Sequence, residues 1–299
     1  MAVKRGELGT ITMNQTKTEK KAMKRTIRVS ASFGGKISTG SWENMSPNFS
    51  AEETFEVEGD SLQVIDKRQK ELHDLCYRQF QDVAHKATVE RIEKEFKNIR
   101  FYTAPNGKKY PSVTSIRDFD SAFFISDADL YEYAAQGNIN DIRVKHFIKT
   151  GQWIEPMKLE ACWPHCHTLK TGNLNLSLDC GDFPGFLAKY PIAEMVVGEP
   201  VFNNEYEYAG EPDFIGIPKF KEAEPIKSVC DVKRSVDKLK AFVQMAAYAK
   251  CLDLKQMVIV PLNESTEQKF SKPIVSRDVD GYFEMFLNKR KAFRKRYGI

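Results

Sequence analysis

The chain has 299 residues, of which 41% are hydrophobic, and a formal net charge of +4 at pH 7. This length and apolar content allow one substantial core with an appended module. No run approaches the roughly 20 consecutive apolar residues that a membrane span requires, so a membrane-spanning protein is excluded. Residues 1–25 are basic and lack the apolar segment of a signal peptide, so we expect a cytoplasmic protein with a flexible basic arm.

Residues 26–100 predict an accessory module of two strands and one long helix. Two β-type runs, within residues 26–35 and 53–59, are separated by a segment rich in Gly, Ser and Asn. A helix then follows to about residue 98, because apolar residues recur at helical spacing. It could pack the N-terminal strands onto the core domain that follows in the chain, mediate self-association, or break near Ala84 or Ala87. No chemistry is indicated here, so we expect partner binding or self-association.

Two acidic residues and a lysine interrupt otherwise apolar stretches. Asp213 precedes the run FIGI, while Asp231 and Lys233 alternate with apolar residues in SVCDVK. Side chains two apart on a strand point to the same face, so Asp231 and Lys233 can share one site. A polar segment with two prolines separates the two runs and predicts a connection between neighbouring strands. Such a hairpin would bring Asp213 beside Asp231.

This combination is typical of a metal site that hydrolyses phosphodiesters. Mg²⁺ takes one or two carboxylates and fills its remaining positions with water and phosphate oxygens. The metal lowers the pKa of a bound water, and Lys233 can hold that water or stabilise charge on phosphorus. A surface hairpin with a solvated salt bridge is the alternative interpretation of this segment alone.

A helix pattern follows at residues 239–252, LKAFVQMAAYAKCL, with Gln244 and Tyr248 one turn apart. An aspartate, a D-x-K and a Q-x-x-x-Y in this order resemble the PD-(D/E)xK nuclease superfamily, specifically its RecB-type exonuclease branch. That branch includes the mitochondrial genome maintenance exonucleases. It also has a preceding glutamate, which Glu199 in VVGEPVF matches. Residues 102–116, YTAPNGKKYPSVTSI, are similar to an opening segment of its phage and mitochondrial members.

The resemblance, which covers about residues 100–260, implies a restriction-endonuclease-like α/β core with a mixed central sheet flanked by helices. We expect this nuclease domain to occupy residues 101–299. By resemblance, the metal ligands are Asp213, Asp231, Glu199 and the backbone carbonyl of Val232, the catalytic lysine is Lys233, and site support or DNA contact comes from Gln244 and Tyr248.

The chain departs from the family's pattern in an earlier helix. Many relatives carry a metal-binding histidine there, and Asp141 occupies its position in this sequence. Asp141 could supply an oxygen ligand, or this helix could contribute nothing to the site. For His146, five residues further on, we expect a packing role.

A cluster of cysteines and histidines has ligand types that suit zinc. Its members are Cys162, His165, Cys166, His167 and Cys180. The spacing matches no standard zinc finger, and a loop stiffened by Trp and Pro with buried thiols explains the cluster as well. Reduced thiols are expected in a chain without a secretion signal.

The C-terminal segment NKRKAFRKRYGI concentrates positive charge. Clustered basic groups neutralise phosphates, and interleaved aromatic residues can stack on unpaired bases. The DNA-binding candidates are Lys289, Arg290, Arg294 and Arg296. The alternative is a solvated helix whose Phe283, Phe286 and Phe293 face the core, and both can hold at once.

The sequence therefore predicts a Mg²⁺- or Mn²⁺-dependent DNA exonuclease acting in phage-type recombination, replication or repair. Its partner would be DNA that is single-stranded or has free ends, and it would act in the host cytoplasm if phage-encoded. Three alternatives stay open: an endonuclease of the same fold, RNA as the substrate, and a catalytically silent nuclease fold that binds DNA or assembles with other proteins.

Overall fold

The computed structural model describes residues 12–13, 24–39, 44–58, 62–121, 126–179, 181–263 and 266–299. The chain divides into two compact units, residues 1–97 with 297–299, and residues 98–296. The expected α/β class is confirmed, because the larger unit combines helices with a mixed five-stranded sheet. No described helix has the length and apolar content needed to cross a membrane.

The first unit contains a three-stranded antiparallel sheet and one long helix. Its elements are β1 (Thr12–Met13), β2 (Lys24–Gly34), β3 (Ile37–Ser38), β4 (Asn44–Met45), β5 (Asn48–Glu58) and α1 (Leu62–Glu95). Strand β2 lies between β1 and β5 and pairs with β5 along its whole length. The two predicted strands and the long helix are confirmed. Apart from β1, the basic arm before β2 lies outside the described residues.

Packing in this unit follows the period of two along β2. The apolar side chains of Ile27, Val29 and Phe33 are buried, whereas the intervening Thr26 and Arg28 are exposed. Helix α1 covers the buried face as one unbroken helix. A helix of this length is stabilised chiefly by tertiary packing of its apolar side.

The second unit carries the remaining elements. In chain order they are β6 (Phe101–Thr103), β7 (Lys109–Pro111), α2 (Val113–Asp118), α3 (Asp127–Thr150), two 3₁₀ turns (Pro156–Lys158 and Glu160–Cys162), α4 (Trp163–Thr171), α5 (Phe183–Lys189), β8 (Ile192–Val197), β9 (Val201–Asn203), β10 (Tyr208–Gly210), β11 (Phe214–Pro218), β12 (Ser228–Lys233), α6 (Lys238–Leu252), β13 (Met257–Pro261), β14 (Ile274–Ser276) and α7 (Val279–Tyr297). The predicted helix at residues 239–252 corresponds to α6.

The central sheet has the order β14-β13-β12-β11-β8. Strands β12 and β13 are parallel and are connected through α6, whereas the other neighbours are antiparallel. Cys230, Val258 and Val260 belong to an apolar cluster that also includes Phe183 and Phe186 of α5. Because side chains alternate along a strand, the odd-numbered residues of β12 point to the opposite face.

Helix α7 contributes an aromatic face to the core. Phe286 and Phe293 are fully buried, and Phe283 is nearly so. The prediction that these three rings face the core is confirmed. They contact aromatic rings elsewhere in the unit, including Tyr208 and Phe119.

Candidate active site

The two central carboxylates approach each other because of the register between β11 and β12. These strands pair antiparallel, with Phe214 opposite Cys230. Continuing that register by one residue places Asp213 opposite Asp231. The predicted hairpin between these two segments is therefore confirmed.

Asp231 is a buried carboxylate with an ammonium group beside it. Its side chain is 1% exposed, and Lys233 Nζ lies 2.6 Å from Asp231 Oδ2. Within the described part of the chain, both Asp231 oxygens nevertheless lack a partner in hydrogen-bond geometry. Burial alone would lower the pKa of Lys233, but Asp231 and Asp213 outweigh it and raise that pKa. Lys233 is thus held in its charged form.

Asp213 lies immediately before β11 and is half-buried. Its Oδ2 accepts a hydrogen bond from the Val232 amide at 2.7 Å. Burial, followed by the negative charge of Asp231, raises the pKa of Asp213 well above its ordinary value, against the opposing effect of Lys233. The site therefore favours a proton on Asp213 at a pH where an exposed aspartate is ionised.

Helix α3 adds a carboxylate and a lysine to this region. Lys145 Nζ lies 3.1 Å from Asp141 Oδ2 and 2.7 Å from Glu211 Oε1. Burial raises the pKa of Asp141, and although Lys145 opposes this effect, the charges of Glu211 and Asp231 add to it. Asp141 Oδ1 is buried and has no hydrogen-bond partner among the described residues. Asp141 therefore belongs to the same electrostatic cluster as Asp231.

Sequence reasoning did not identify Lys145, Glu211 or Arg117. Asp141 and Lys145 are spaced i, i+4 on a helix, so this ion pair had a visible sequence signal. Glu211 is two residues before Asp213, but nothing in the sequence distinguished it from an exposed acid. Arg117 had no signal, since its partner is 127 residues away.

Gln244 and Tyr248 of α6 are joined to Arg117 of α2 by hydrogen bonds. The Arg117 guanidinium donates to Gln244 Oε1, and Gln244 Nε2 donates to the Tyr248 hydroxyl at 3.0 Å. Burial would lower the pKa of Arg117, but the carboxylates of Asp118 and Asp231 raise it. Burial and the charge of Asp231 raise the pKa of Tyr248, so its phenol stays protonated.

Two glycines allow the backbone to approach the site closely. A Cβ on Gly210 would lie 2.4 Å from Cε1 of Tyr248, so the tyrosine ring packs directly on the backbone of β10. A Cβ on Gly198 would lie 1.8 Å from the carbonyl oxygen of Pro212. These contacts fix the chain on both sides of Asp213, since Gly198 N also donates to the Asp213 carbonyl at 3.1 Å.

Glu199 and His146 lie at the margin of this arrangement. Glu199 follows Gly198, and its side chain is exposed. The structure thus brings the Glu199 backbone near Asp213. Metal ligation by the Glu199 carboxylate stays a prediction. Ligation by the Val232 carbonyl also stays a prediction. His146 is half-buried on α3, and its Nε2 has no hydrogen-bond partner in the described chain.

The cysteines of the proposed zinc cluster lie in an apolar environment. Cys162 and Cys166 are buried against Ala135 and Leu169. Burial, with a smaller contribution from Cys166, raises the pKa of the Cys162 thiol to about 11. His165 is half-buried and His167 is exposed, while Cys180 lies outside the described residues. Zinc binding by this set stays an untested prediction.

The four basic candidates on α7 occupy different environments. Lys289 Nζ donates to both oxygens of Asp120 at 2.7 Å, and Arg296 donates to the Phe119 carbonyl at 3.4 Å. Arg294 is 66% exposed. Arg290 is only 4% exposed. The Arg290 guanidinium donates to the carbonyls of Tyr206 and Glu207, which suits a structural role. These contacts give no support to the DNA contact predicted for Arg290.

The donor set of the central cluster suits a hard cation. Across the described ranges, no three His, Cys, Asp or Glu side chains form a group able to hold a metal ion by themselves. Mg²⁺ needs fewer, since it binds through one or two carboxylates and retains several waters. Oδ1 of Asp231 is a buried acceptor without a hydrogen-bond partner among the described residues, and such a cation would satisfy it.

No family model and no curated protein matches this chain. An alkaline exonuclease (LHK-Exo) from Laribacter hongkongensis aligns with 57% of this chain and 97% of its own, at 11% identity and a TM-score of 0.27. A solved structure of a protein named SSO0001 aligns with 60% of this chain and 83% of its own, at 9% identity and a TM-score of 0.23. Both TM-scores lie below 0.5, where a shared fold is not established.

Proposed function

We propose that this protein is a divalent-metal-dependent deoxyribonuclease that hydrolyses phosphodiester bonds, acting as an exonuclease. The observation that carries the proposal is the buried Asp231 beside Asp213: its Oδ2 is ion-paired with Lys233, while its Oδ1 has no hydrogen-bond partner among the described residues. Burying two neighbouring carboxylates beside a single ammonium leaves uncompensated negative charge, which costs several kcal/mol, so a fold that retains them needs a compensating role for them. Binding of Mg²⁺ or Mn²⁺ provides that role.

Asp213 and Asp231 would hold the metal, with water and phosphate oxygens filling its remaining positions. A divalent ion at such a site polarises a phosphoryl oxygen and lowers the pKa of a bound water. The Lys233 ammonium would donate a hydrogen bond to the attacking water or to a phosphate oxygen. It would also neutralise charge that develops on phosphorus in the transition state. In the metal-free protein the carboxylates of Asp231 and Asp213 raise the pKa of Lys233 and favour its charged form.

Arg117 would help to position the phosphate of the substrate. Its guanidinium is held by Gln244 and Asp118 on the α6 side of the cluster and feels the charge of Asp231. A planar guanidinium fixed in this way is suited to hold a phosphate oxygen. DNA as the substrate and a phage-type setting in recombination, replication or repair are proposed on the family resemblance.

The test uses end-labelled linear single-stranded and double-stranded DNA, and circular DNA, in EDTA, Mg²⁺ or Mn²⁺. The chain contains a matched control, because Asp253 and Lys255 repeat the D-x-K spacing as an exposed ion pair of 2.7 Å. We expect Asp231→Asn and Lys233→Met to reduce metal-dependent cleavage at least about 100-fold. Asp253→Asn and Lys255→Met should leave cleavage unchanged.

The pattern of products separates the alternatives. Cleavage of linear but not circular DNA supports the exonuclease, whereas cleavage of circular DNA indicates an endonuclease of the same fold. Folded protein that binds DNA but does not cleave it in either metal would overturn the catalytic proposal. Unchanged cleavage by both variants of the Asp231–Lys233 pair would show that the reaction takes place elsewhere.

A further inference from the structure

An exposed aromatic side chain lies beside the end of β12. Tyr133 on α3 is 41% exposed. The guanidinium carbon of Arg234 lies 5.6 Å from the centre of the Tyr133 ring. Arg234 directly follows Lys233, so this cation–π pair adjoins the proposed catalytic lysine.

The chain segment that carries Arg234 is basic. Residues 233–240 contain four basic residues and one acid, Asp237. The Asp237 carboxylate caps α6 by accepting from the Lys240 amide at 3.1 Å. Lys238 and Lys240 are exposed. Positive charge and an aromatic ring therefore lie together beside the carboxylate cluster, which is the combination that binds single-stranded nucleic acid.

Helix geometry gives the separation of Tyr133 and the carboxylate cluster along α3. Tyr133 precedes Asp141 by eight residues on α3, which corresponds to about 12 Å along the helix axis. Phosphates along one strand of B-DNA repeat every ~3.4 Å. A strand bound at the cluster would therefore reach Tyr133 within a few nucleotides.

We infer that Tyr133 and Arg234 form a stacking site for an unpaired base of the DNA strand that enters the proposed active site, beside the positive charge of residues 233–240. Within a duplex, neighbouring bases cover both faces of every internal base pair, so the ring can stack on an unpaired base or at the end of a strand but not within a duplex. The substrate class is therefore single-stranded DNA or a frayed end. This inference rests on the proposed function, which supplies both DNA as the ligand and the active site that the strand enters.

Binding without hydrolysis tests the stacking site. Fluorescence anisotropy in EDTA would compare an oligo-dT strand of about 20 nucleotides with an abasic strand of the same length and with a duplex. The wild-type protein should bind oligo-dT more tightly than the abasic strand. Tyr133→Ala should weaken oligo-dT binding about 5-fold or more and leave abasic binding unchanged. Tyr133→Phe keeps the ring and should restore wild-type affinity.

Tyr131→Ala is the matched control, because Tyr131 is 71% exposed and lies two residues away on the same helix. Its affinities should equal those of the wild type. The stacking site is refuted if Tyr133→Ala retains the full preference for oligo-dT over the abasic strand, or if the wild-type protein has no such preference. Cleavage in Mg²⁺ is measured in parallel. A base preference lost in Tyr133→Ala without any cleavage would support the site and overturn the proposed nuclease.

Discussion

Replacing Lys233 with methionine tests the electrostatic account of the cluster. The substitution keeps an unbranched side chain of similar size and removes the ammonium, which is the cation 2.6 Å from Asp231. The buried Asp231 carboxylate beside Asp213 then loses the positive group that contacts it. The metal-free protein should be destabilised for that reason.

The size of the effect follows from the burial of the pair. Removing one partner of a buried ion pair costs about 3–5 kcal/mol. The Lys233 side chain is 27% exposed, so we expect the lower end, about 3 kcal/mol. For a unit of this size, 1 kcal/mol changes the Tm by about 2–4 °C. The predicted decrease in EDTA at neutral pH is therefore about 6–12 °C.

Calorimetry of wild-type and Lys233→Met protein provides the assay, with Lys255→Met as control. The pair that the control breaks is exposed on both sides, so its Tm should be close to that of the wild type. The pKa of Asp213 is already raised, and loss of Lys233 raises it further. The decrease in Tm caused by Lys233→Met should thus be largest at neutral pH, and it should become smaller as the pH falls and Asp213 takes up its proton.

A divalent cation should also reduce the decrease in Tm of Lys233→Met, because the cation replaces the missing positive charge. A ligand at 100 times its Kd stabilises the folded state by about 2.7 kcal/mol. Equal Tm values for Lys233→Met and Lys255→Met in EDTA would refute the idea that Lys233 balances a buried charge. A decrease in Tm that depends neither on pH nor on Mg²⁺ would refute the same idea.

Three further substitutions test other parts of the structure. Gly210→Ala forces a Cβ against the ring of Tyr248, so chemical denaturation should show a loss of about 1–3 kcal/mol together with reduced cleavage. Arg290→Gln removes buried hydrogen bonds and should cost about 2 kcal/mol, whereas the exposed Arg294→Gln should stay within about 0.5 kcal/mol of the wild type. Asp213→Asn should raise the Tm in EDTA. Because the folded-state pKa of Asp213 is raised, its contribution to stability is lost as pH rises, so this gain should grow from acid to neutral pH.

The local part of the site could be predicted from the sequence. Strand alternation placed Asp231 and Lys233 on one face, and the short polar connection implied that Asp213 lies opposite Asp231. Both conclusions need only the period of two and a hairpin, which are properties of a short segment. The helix that carries Gln244 and Tyr248 was equally clear from its apolar spacing.

The partners that come from distant elements could not be predicted. Arg117 reaches Gln244 across 127 residues, and the contact depends on how α2 packs against α6. The burial of individual basic residues near the C-terminus could not be predicted either, since the charge pattern of that segment is uniform. Only the position of α7 determines that Arg290 is buried while Arg294 is exposed.

The charge balance of the cluster connects its stability to its proposed chemistry. Four carboxylates, those of Asp141, Glu211, Asp213 and Asp231, lie near two lysines. When every group is ionised, the cluster has an excess of two negative charges, and burial with the charge of Asp231 raises the pKa of Asp213, which favours reducing this excess by binding a proton. A divalent cation carries the same two charges in one ion and would displace that proton. Metal affinity should therefore increase with pH through the range in which Asp213 ionises, because proton and metal compete for the same oxygens.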